Sequence, residues 1–306
     1  MRKYLFILFL SLFILPATGI AQYAWDYGFG LGGANYLGEI GGLAKSRRGF
    51  VNDIKISQTR PAITGFARHR ISPTLLVKGS LSGLRIQGSD NLSTNPGRVG
   101  RNLNFRNDIV ELAGTAEINF YQPNDIGNSR RFRLDFRSYV FFGLGAFYHS
   151  PKTNYNGEWV KLQPLRTEGQ IKPYSRIQMS IPMGVGFYYT YKRKHRIGWE
   201  FGWRKTFTDY LDDISTQYAT NEQLNNDPNT VAIANRRNEI SGEGIPHRNN
   251  YAPGEKRGDP SNKDNYFVST INYSYVIRGK SNFYRSQYNF IWGKGGRKKR
   301  KTRAKF

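Results

Sequence analysis

The chain has 306 residues, no cysteine, and 46 Lys and Arg against 22 Asp and Glu, a formal charge of +24. The composition excludes disulfides, and Gln22, where a lipid-bearing cysteine would follow a leader, argues against a lipoprotein anchor. Low mean hydropathy with 20 Tyr, 20 Phe and 33 Gly suits a membrane barrel, whose apolar band is diluted by lumen and loops, better than a soluble globule.

The chain opens with MRKYLFILFLSLFILPATGIAQ. Arg2 and Lys3 precede an apolar run from Tyr4 to Leu15, Pro16 breaks it, and Gly19 and Ala21 are the small residues of a cleavage site. Residues 1–21 are therefore predicted to be a signal peptide cut after Ala21. No later stretch is apolar for long enough to be a membrane helix. In an exported chain the positive charge points to membrane surfaces, lipid phosphates and acidic proteins, and away from nucleic acid.

Bulky residues then fall on alternate positions in eight segments of membrane-spanning length, which predicts strands. The first, YAWDYGFGLGGANYLG, sets Trp25, Tyr27, Phe29 and Leu31 against Asp26, Gly28 and Gly30. The second, Arg60 to Ile71, and the third, Thr74 to Ile86, alternate weakly, so their register is not fixed by pattern. The fourth, Asp108 to Tyr121, sets Val110, Leu112, Ala116, Ile118 and Phe120 against Glu111, Thr115, Glu117 and Asn119. The fifth, Arg131 to His149, opposes Phe132, Leu134, Phe136, Val140, Phe142 and Leu144 to Arg133, Asp135, Arg137 and Tyr139. The sixth and seventh form a hairpin from about Ile177 to Phe207 around the basic turn Lys192, Arg193, Lys194 and His195. The eighth, Tyr266 to Ile277, has Phe267, Ile271, Tyr273, Tyr275 and Ile277 on one face.

The connections alternate strictly in length. Long stretches (Gly38 to Thr59, Gly88 to Asn107, Ser150 to Ser175, Thr208 to Asn265) separate short ones (ISPT, Gln122 to Arg131, the basic turn). Two sheets of a sandwich have no reason to alternate this way. An even-stranded up-and-down barrel does, with long loops outside and short turns in the periplasm. The predicted fold is all-β, an eight-stranded antiparallel outer-membrane β-barrel over residues 22–278, followed by a basic periplasmic tail over 279–306. Lipid covers the aromatic face. The opposite face carries Asp26, Lys78, Glu111, Glu117, Arg133, Asp135, Arg137, Glu200 and Arg204, charges of both signs. Eight strands leave an interior that side chains can fill, so these charges should pair and plug the lumen.

No catalytic, metal or cofactor pattern emerges. The longest loop opens with TFTDYLDDIST, whose Asp209, Asp212 and Asp213 lack calcium-loop spacing and are expected to be solvated carboxylates at a strand end. His149 and His247 fall on the outer side, which leaves a surface hydrolase conceivable, but nothing in the spacing links them to the aspartates. His69 and His195 fall at periplasmic turns. Two basic patches face the periplasm and are the candidate partner-binding residues: Lys192, Arg193 and Lys194 in the turn, and Arg297, Lys298, Lys299 and Arg300 in the tail. The stretch Phe283 to Trp292 ahead of the latter is aromatic enough to skim the membrane, to dock on a protein, or to add a strand.

Several stretches resemble the PorG family of outer-membrane barrels: FGLGGANYLGEIGG, TRPAITGFARHRIS, RNLNFRNDIVELAGTAEINF, GEWVKLQPLRTEGQ and EFGWRKTFTDYLDDIST. They occur in order, and the similarity runs to about Arg278; the basic tail departs from it. The resemblance implies a non-enzymatic component of the type IX (Por) secretion system of Bacteroidetes. It further implies association with a periplasmic ring of the lipoprotein PorK and its partner PorN, and in some relatives a link to gliding. A passive or adhesive surface barrel, and an outer-membrane hydrolase, are the alternatives left by the residues themselves.

Overall fold

The structure, a computed structural model, describes residues 25–40, 56–72, 74–121, 135–192, 194–242 and 245–277. The leader, Arg193, residues 131–134 of the fifth predicted strand, and the tail with Phe283–Trp292 and Arg297 to Arg300 lie outside them.

Eight strands pair in antiparallel register, each with its neighbours in the chain. They are β1 (Trp25–Leu37), β2 (Arg60–Arg70), β3 (Leu75–Ser89), β4 (Asn104–Tyr121), β5 (Asp135–Tyr155), β7 (Ile177–Tyr191), β8 (His195–Thr206) and β9 (Asn265–Ile277). Pairing of β1 with β9, from Trp25 opposite Ile277 to Leu37 opposite Asn265, closes the sheet into a barrel. Closure leaves the wall no free edge to satisfy. The strands alternate about as the sequence predicts, with one addition. β5 runs on to Tyr155 and folds back through Asn156 and Gly157, both at positive φ, into a short strand β6 (Glu158–Lys161). Asn-Gly is the pair that a two-residue hairpin with left-handed central residues favours. The stretch expected to be an open loop is thus partly an extension of the wall.

The hairpin of β7 and β8 shows why period two matters here. Phe187 lies opposite Trp199, Val185 opposite Phe201 and Met183 opposite Trp203, all on the outward face. On the inward face Gly186 lies opposite Glu200 and Pro182 opposite Arg204. The inward glycines create space. A Cβ on Gly186 would come within 2.5 Å of the Tyr139 ring, and one on Gly184 within 2.8 Å of the Phe141 ring. Small residues on one strand therefore admit large rings from its neighbour into a narrow lumen.

The outward face is apolar around the whole circumference. Leu112 on β4, Leu144 on β5 and Ile271 on β9 are 64%, 63% and 66% exposed, with Phe29, Leu81, Phe142, Phe187 and Ile197 beside them in the same belt. A continuous apolar girdle of this extent is far beyond what a water-facing surface carries, and it fits the hydrocarbon of a bilayer. Among the described residues no helix is long and apolar enough to cross a membrane. The strands do the crossing. Replacing Leu112 by Arg at mid-strand should destabilise the barrel in lipid by about 2–4 kcal/mol, read from denaturant refolding in vesicles; an unchanged midpoint would mean that this face does not meet hydrocarbon.

Candidate functional site

Two stacked fillings occupy the lumen. Towards the short-turn end lies a ladder of buried charges contributed by strands all round the wall. Asp26 Oδ2 on β1 accepts from Arg68 Nη1 on β2 at 3.2 Å and from Arg196 Nη1 on β8. Glu117 on β4 lies 2.7 Å from Arg68 Nε and 3.3 Å from Lys78 Nζ, close ion contacts rather than aligned hydrogen bonds. Lys78 Nζ also reaches Glu200 Oε2, and the Tyr139 hydroxyl donates to the same oxygen at 2.9 Å. Higher up, Glu111 accepts from Arg204 Nε at 3.4 Å, from Ser180 Oγ at 2.7 Å and from the Tyr266 hydroxyl at 3.0 Å. The rings of Tyr139 and Tyr188 flank the Arg68 guanidinium, and that of Phe141 lies 5.0 Å from Lys78 Nζ. Four cations thus meet four carboxylates with aromatic rings between them, the paired and plugged lumen that the sequence predicted, although Arg68 and Arg196 were not among the charges expected there. Arg137 is buried in the same stretch; Arg133 lies outside the described residues.

Above the ladder the lumen turns apolar, which the alternation did not predict. Ala34, Ala62, Leu84, Ile86, Phe105, Ile109, Phe147 and Val268 point inward from the strands and form one cluster with Leu103, Leu162, Leu211, Ile214 and Ile233 from the loops. The weak alternation of β3 has its cause here: its apolar residues change sides along the strand, facing out at Val77 and Leu81 and inward at Leu84 and Ile86, where Arg85 and Gln87 take the outward face. The described parts of the long loops therefore fold down as a cap with its own core. They include a one-turn helix α1 (Pro96–Arg101) between β3 and β4, and α2 (Pro228–Ala234) between β8 and β9.

The aspartates of the longest loop are not solvated. Asp209, Asp212 and Asp213 are buried, because Leu211 and Ile214 between and beyond them sink into the apolar cluster and carry the carboxylates inward. The apolar pair three residues apart was the available signal. Once inside, the carboxylates hold backbone and side chains. Asp213, at φ 70, accepts from the Tyr174 hydroxyl at 2.7 Å and from the Thr167 hydroxyl. The Tyr36 hydroxyl lies 2.6 Å from Asp212 Oδ2 and 2.7 Å from Asp264 Oδ1. A phenol has one hydrogen and cannot donate to two carboxylates at once, so one of the two acids carries a proton. Burial pushes Asp212 and Asp264 well above the ordinary carboxylate range, with the Glu39 carboxylate adding to the shift at Asp212 and Asp212 adding to it at Asp264.

Arginines tie the cap together. Arg101 makes a two-pronged contact with Asp90 (2.8 and 3.0 Å) and donates to the carbonyls of Arg257 and Glu39. Arg257 binds Glu168 Oε1 at 3.0 Å and the Asp213 carbonyl at 2.6 Å, while Glu168 also accepts from the amides of Ser215 and Thr216.

His149 is buried against Asn107 and the Ser175 carbonyl, with its ring stacked on Tyr174 at 6.0 Å. Its partners are structural, and Asp209 and Asp212 are not among them. His247 Nδ1 accepts from the Asn249 amide at the start of a short turn. No group of three or more metal-binding side chains comes together among the described residues. At the opposite end His69 lies against Trp25 and His195 against the Tyr273 hydroxyl, both at strand ends. Lys192, at φ 48, and Lys194 are exposed in the turn beside them.

The chain belongs to the family described as a domain of unknown function (DUF6089), whose model matches residues 2–228. Among curated proteins none matches it in sequence. Similar solved structures include the attachment invasion locus protein Ail of Yersinia pestis, at 7% identity and a TM-score of 0.38, covering 84% of this chain and 100% of that one. The outer membrane protein OprG of Pseudomonas aeruginosa is similar at 8% identity and a TM-score of 0.31, covering 85% and 99%. The outer membrane protein AlkL, solved in lipid bilayers, is similar at 11% identity and a TM-score of 0.35, covering 86% and 93%.

Two measurements probe this interior. Glu117→Gln takes away one of the two carboxylates that each of Arg68 and Lys78 meets, leaving one positive charge in the lumen uncompensated, and should cost about 3–5 kcal/mol. Asp108→Asn, which breaks a half-exposed pair with Arg85 at the wall, should cost no more than about 1 kcal/mol. Equal costs in denaturant unfolding would mean that water fills the lumen. The second is a pH dependence. Burial raises Glu39 from 4.5 to about 7 and Asp213 from 3.8 to about 6. The fold thus favours their protonated forms, a contribution present in full below the unfolded values and lost as pH rises through the folded ones. Protection of the cap loops from protease should fall as pH rises from about 4 to about 7; protection that increases over that range would contradict the assignment.

Proposed function

We propose that this member of the DUF6089 family is a non-enzymatic outer-membrane subunit of a type IX protein secretion system. In this role it anchors or organises a periplasmic ring of the PorK and PorN type. The observation that carries the reading is the filled lumen. A barrel plugged by a paired-charge ladder and then by an apolar cap has no path for a folded cargo, nor for a solute. Its contribution must be made by its surfaces. The apolar belt supports residence in the outer membrane, and the five stretches that resemble the PorG family support the choice of machine.

The short-turn end faces the periplasm in this reading and presents Lys192 and Lys194, with Arg193 between them in sequence and the tail run Arg297 to Arg300 beyond the last strand. Both patches are positive, so contact with an acidic partner should weaken as salt screens it over about 8 Å at physiological strength.

The test is a pull-down from native membranes with mass spectrometry, comparing the intact chain with a version ending at Gly293. Ring components that co-purify with the intact form and vanish with the shortened one make the tail the tether, and charge reversal at Lys298, Lys299 and Arg300 should then reduce capture. Ring components on both forms assign the contact to the barrel turns. Their absence from both removes the secretion-system role.

A further inference from the structure

The cap carries a concave cleft of about 680 Å³, lined by the end of β1, by α1 and by the loop between β8 and β9. That volume lies within the range of small-molecule sites, about 300–1,000 Å³. Four of the side chains that line it hold buried polar atoms without a hydrogen-bond partner among the described residues: Glu39 Oε2, Arg98 Nη1, the Tyr218 hydroxyl and Arg257 Nε. Tyr218 and Arg257 are each only 4% exposed. A buried polar atom left without a partner is costly, and a ligand seated in this concavity would offset that cost.

The chemistry of the missing partner can be narrowed. Three of the four atoms donate and one accepts, the hydroxyl of Tyr218 being able to do either. A ligand that meets all of them must present both donors and acceptors on closely spaced groups. The charges around the cleft nearly cancel. Arg101 is neutralised by Asp90, Arg257 by Glu168, and Lys256 lies 3.7 Å from Asp259. That leaves Arg98 and Glu39, whose carboxyl, raised to about 7, is only partly ionised at neutral pH and can donate as well as accept. With no cluster of unpaired cations to hold an anion, the lining suits a neutral polyhydroxyl compound. Two aromatic rings complete the lining. Those of Tyr218 and Tyr251 stand edge to face at 6.1 Å, and the Tyr251 hydroxyl is fixed by donation to the Gly97 carbonyl at 2.9 Å. Flat apolar rings beside planar amides, carboxylates and guanidinium groups match the two kinds of surface on a sugar ring, its C–H face and its hydroxyl rim.

We propose that the cap cleft is a binding site for a neutral saccharide, with Tyr218 and Glu39 bonding its hydroxyls and Tyr251 offering a ring to its apolar face. The site is independent of the role at the short-turn end, since it stands at the opposite mouth of the barrel.

The test uses the full chain refolded in a detergent without a sugar headgroup. Saturation-transfer NMR is run against neutral di- and trisaccharides of glucose, galactose, mannose and N-acetylglucosamine, with inorganic phosphate as the anionic probe. The expected result is binding of at least one saccharide that phosphate does not displace. Tyr218→Phe, which removes one oxygen and keeps the ring, and Glu39→Gln should each weaken it by about five- to tenfold. Heat-modifiable migration on gels verifies that both variants remain folded barrels. No saccharide binding at millimolar concentration, binding of phosphate in place of sugar, or undiminished affinity in both folded variants would each overturn the proposal.

Discussion

Eight strands enclose a space that admits side chains and little else, and everything polar placed there must find its partner inside. That constraint organises the molecule. A carboxylate taken out of water loses several kcal/mol of solvation, which only a close counter-charge and further hydrogen bonds offset. The lumen meets the requirement by drawing its members from many strands: Asp26 from β1, Arg68 from β2, Lys78 from β3, Glu117 from β4, Tyr139 from β5, and Arg196 and Glu200 from β8. No two adjacent strands could supply the set. The ladder thus couples the whole circumference, and a slip of one residue in any strand would turn its charge towards lipid. Pairing and register specify each other.

The cap follows the same logic with different materials. Loops that merely joined strands would need few apolar residues, yet Leu103, Leu162, Leu211, Ile214 and Ile233 all leave water here. Their burial brings polar neighbours with them, and these are then satisfied by arginine forks, tyrosine hydroxyls and backbone amides. The outer mouth is in effect a small globular unit seated on a membrane ring.

How much of this was legible depended on which solvent a residue faces. The strands of the β7–β8 hairpin could be read directly, because lipid outside and charge inside give the sharpest possible contrast at period two. The charge ladder was legible for the same reason: Glu111, Glu117, Glu200 and Arg204 interrupt aromatic runs at fixed parity. β3 resisted, since Leu84 and Ile86 face a loop-filled mouth rather than a polar lumen, so the apolar parity set by Val77 and Leu81 reverses within one strand. The aspartates of the longest loop misled for a related reason. A carboxylate three to seven residues past a strand end is ordinarily wet, and only the tertiary descent of Leu211 and Ile214 reverses that. The cleft had no local signature at all, because Glu39, Arg98, Tyr218 and Arg257 come from three separate connections.

Tyr36 stands near the end of the first barrel strand, directly opposite Tyr266 of the last, and its hydroxyl joins Asp212 to Asp264. These three residues span almost the whole barrel sequence and come together only after the two ends of the sheet have met. The seam of the barrel is therefore also the hinge pin of its lid. A chain still open along β1 and β9 lacks this seat for the long loop. In the finished protein the burial of that single phenol is a record that closure has taken place.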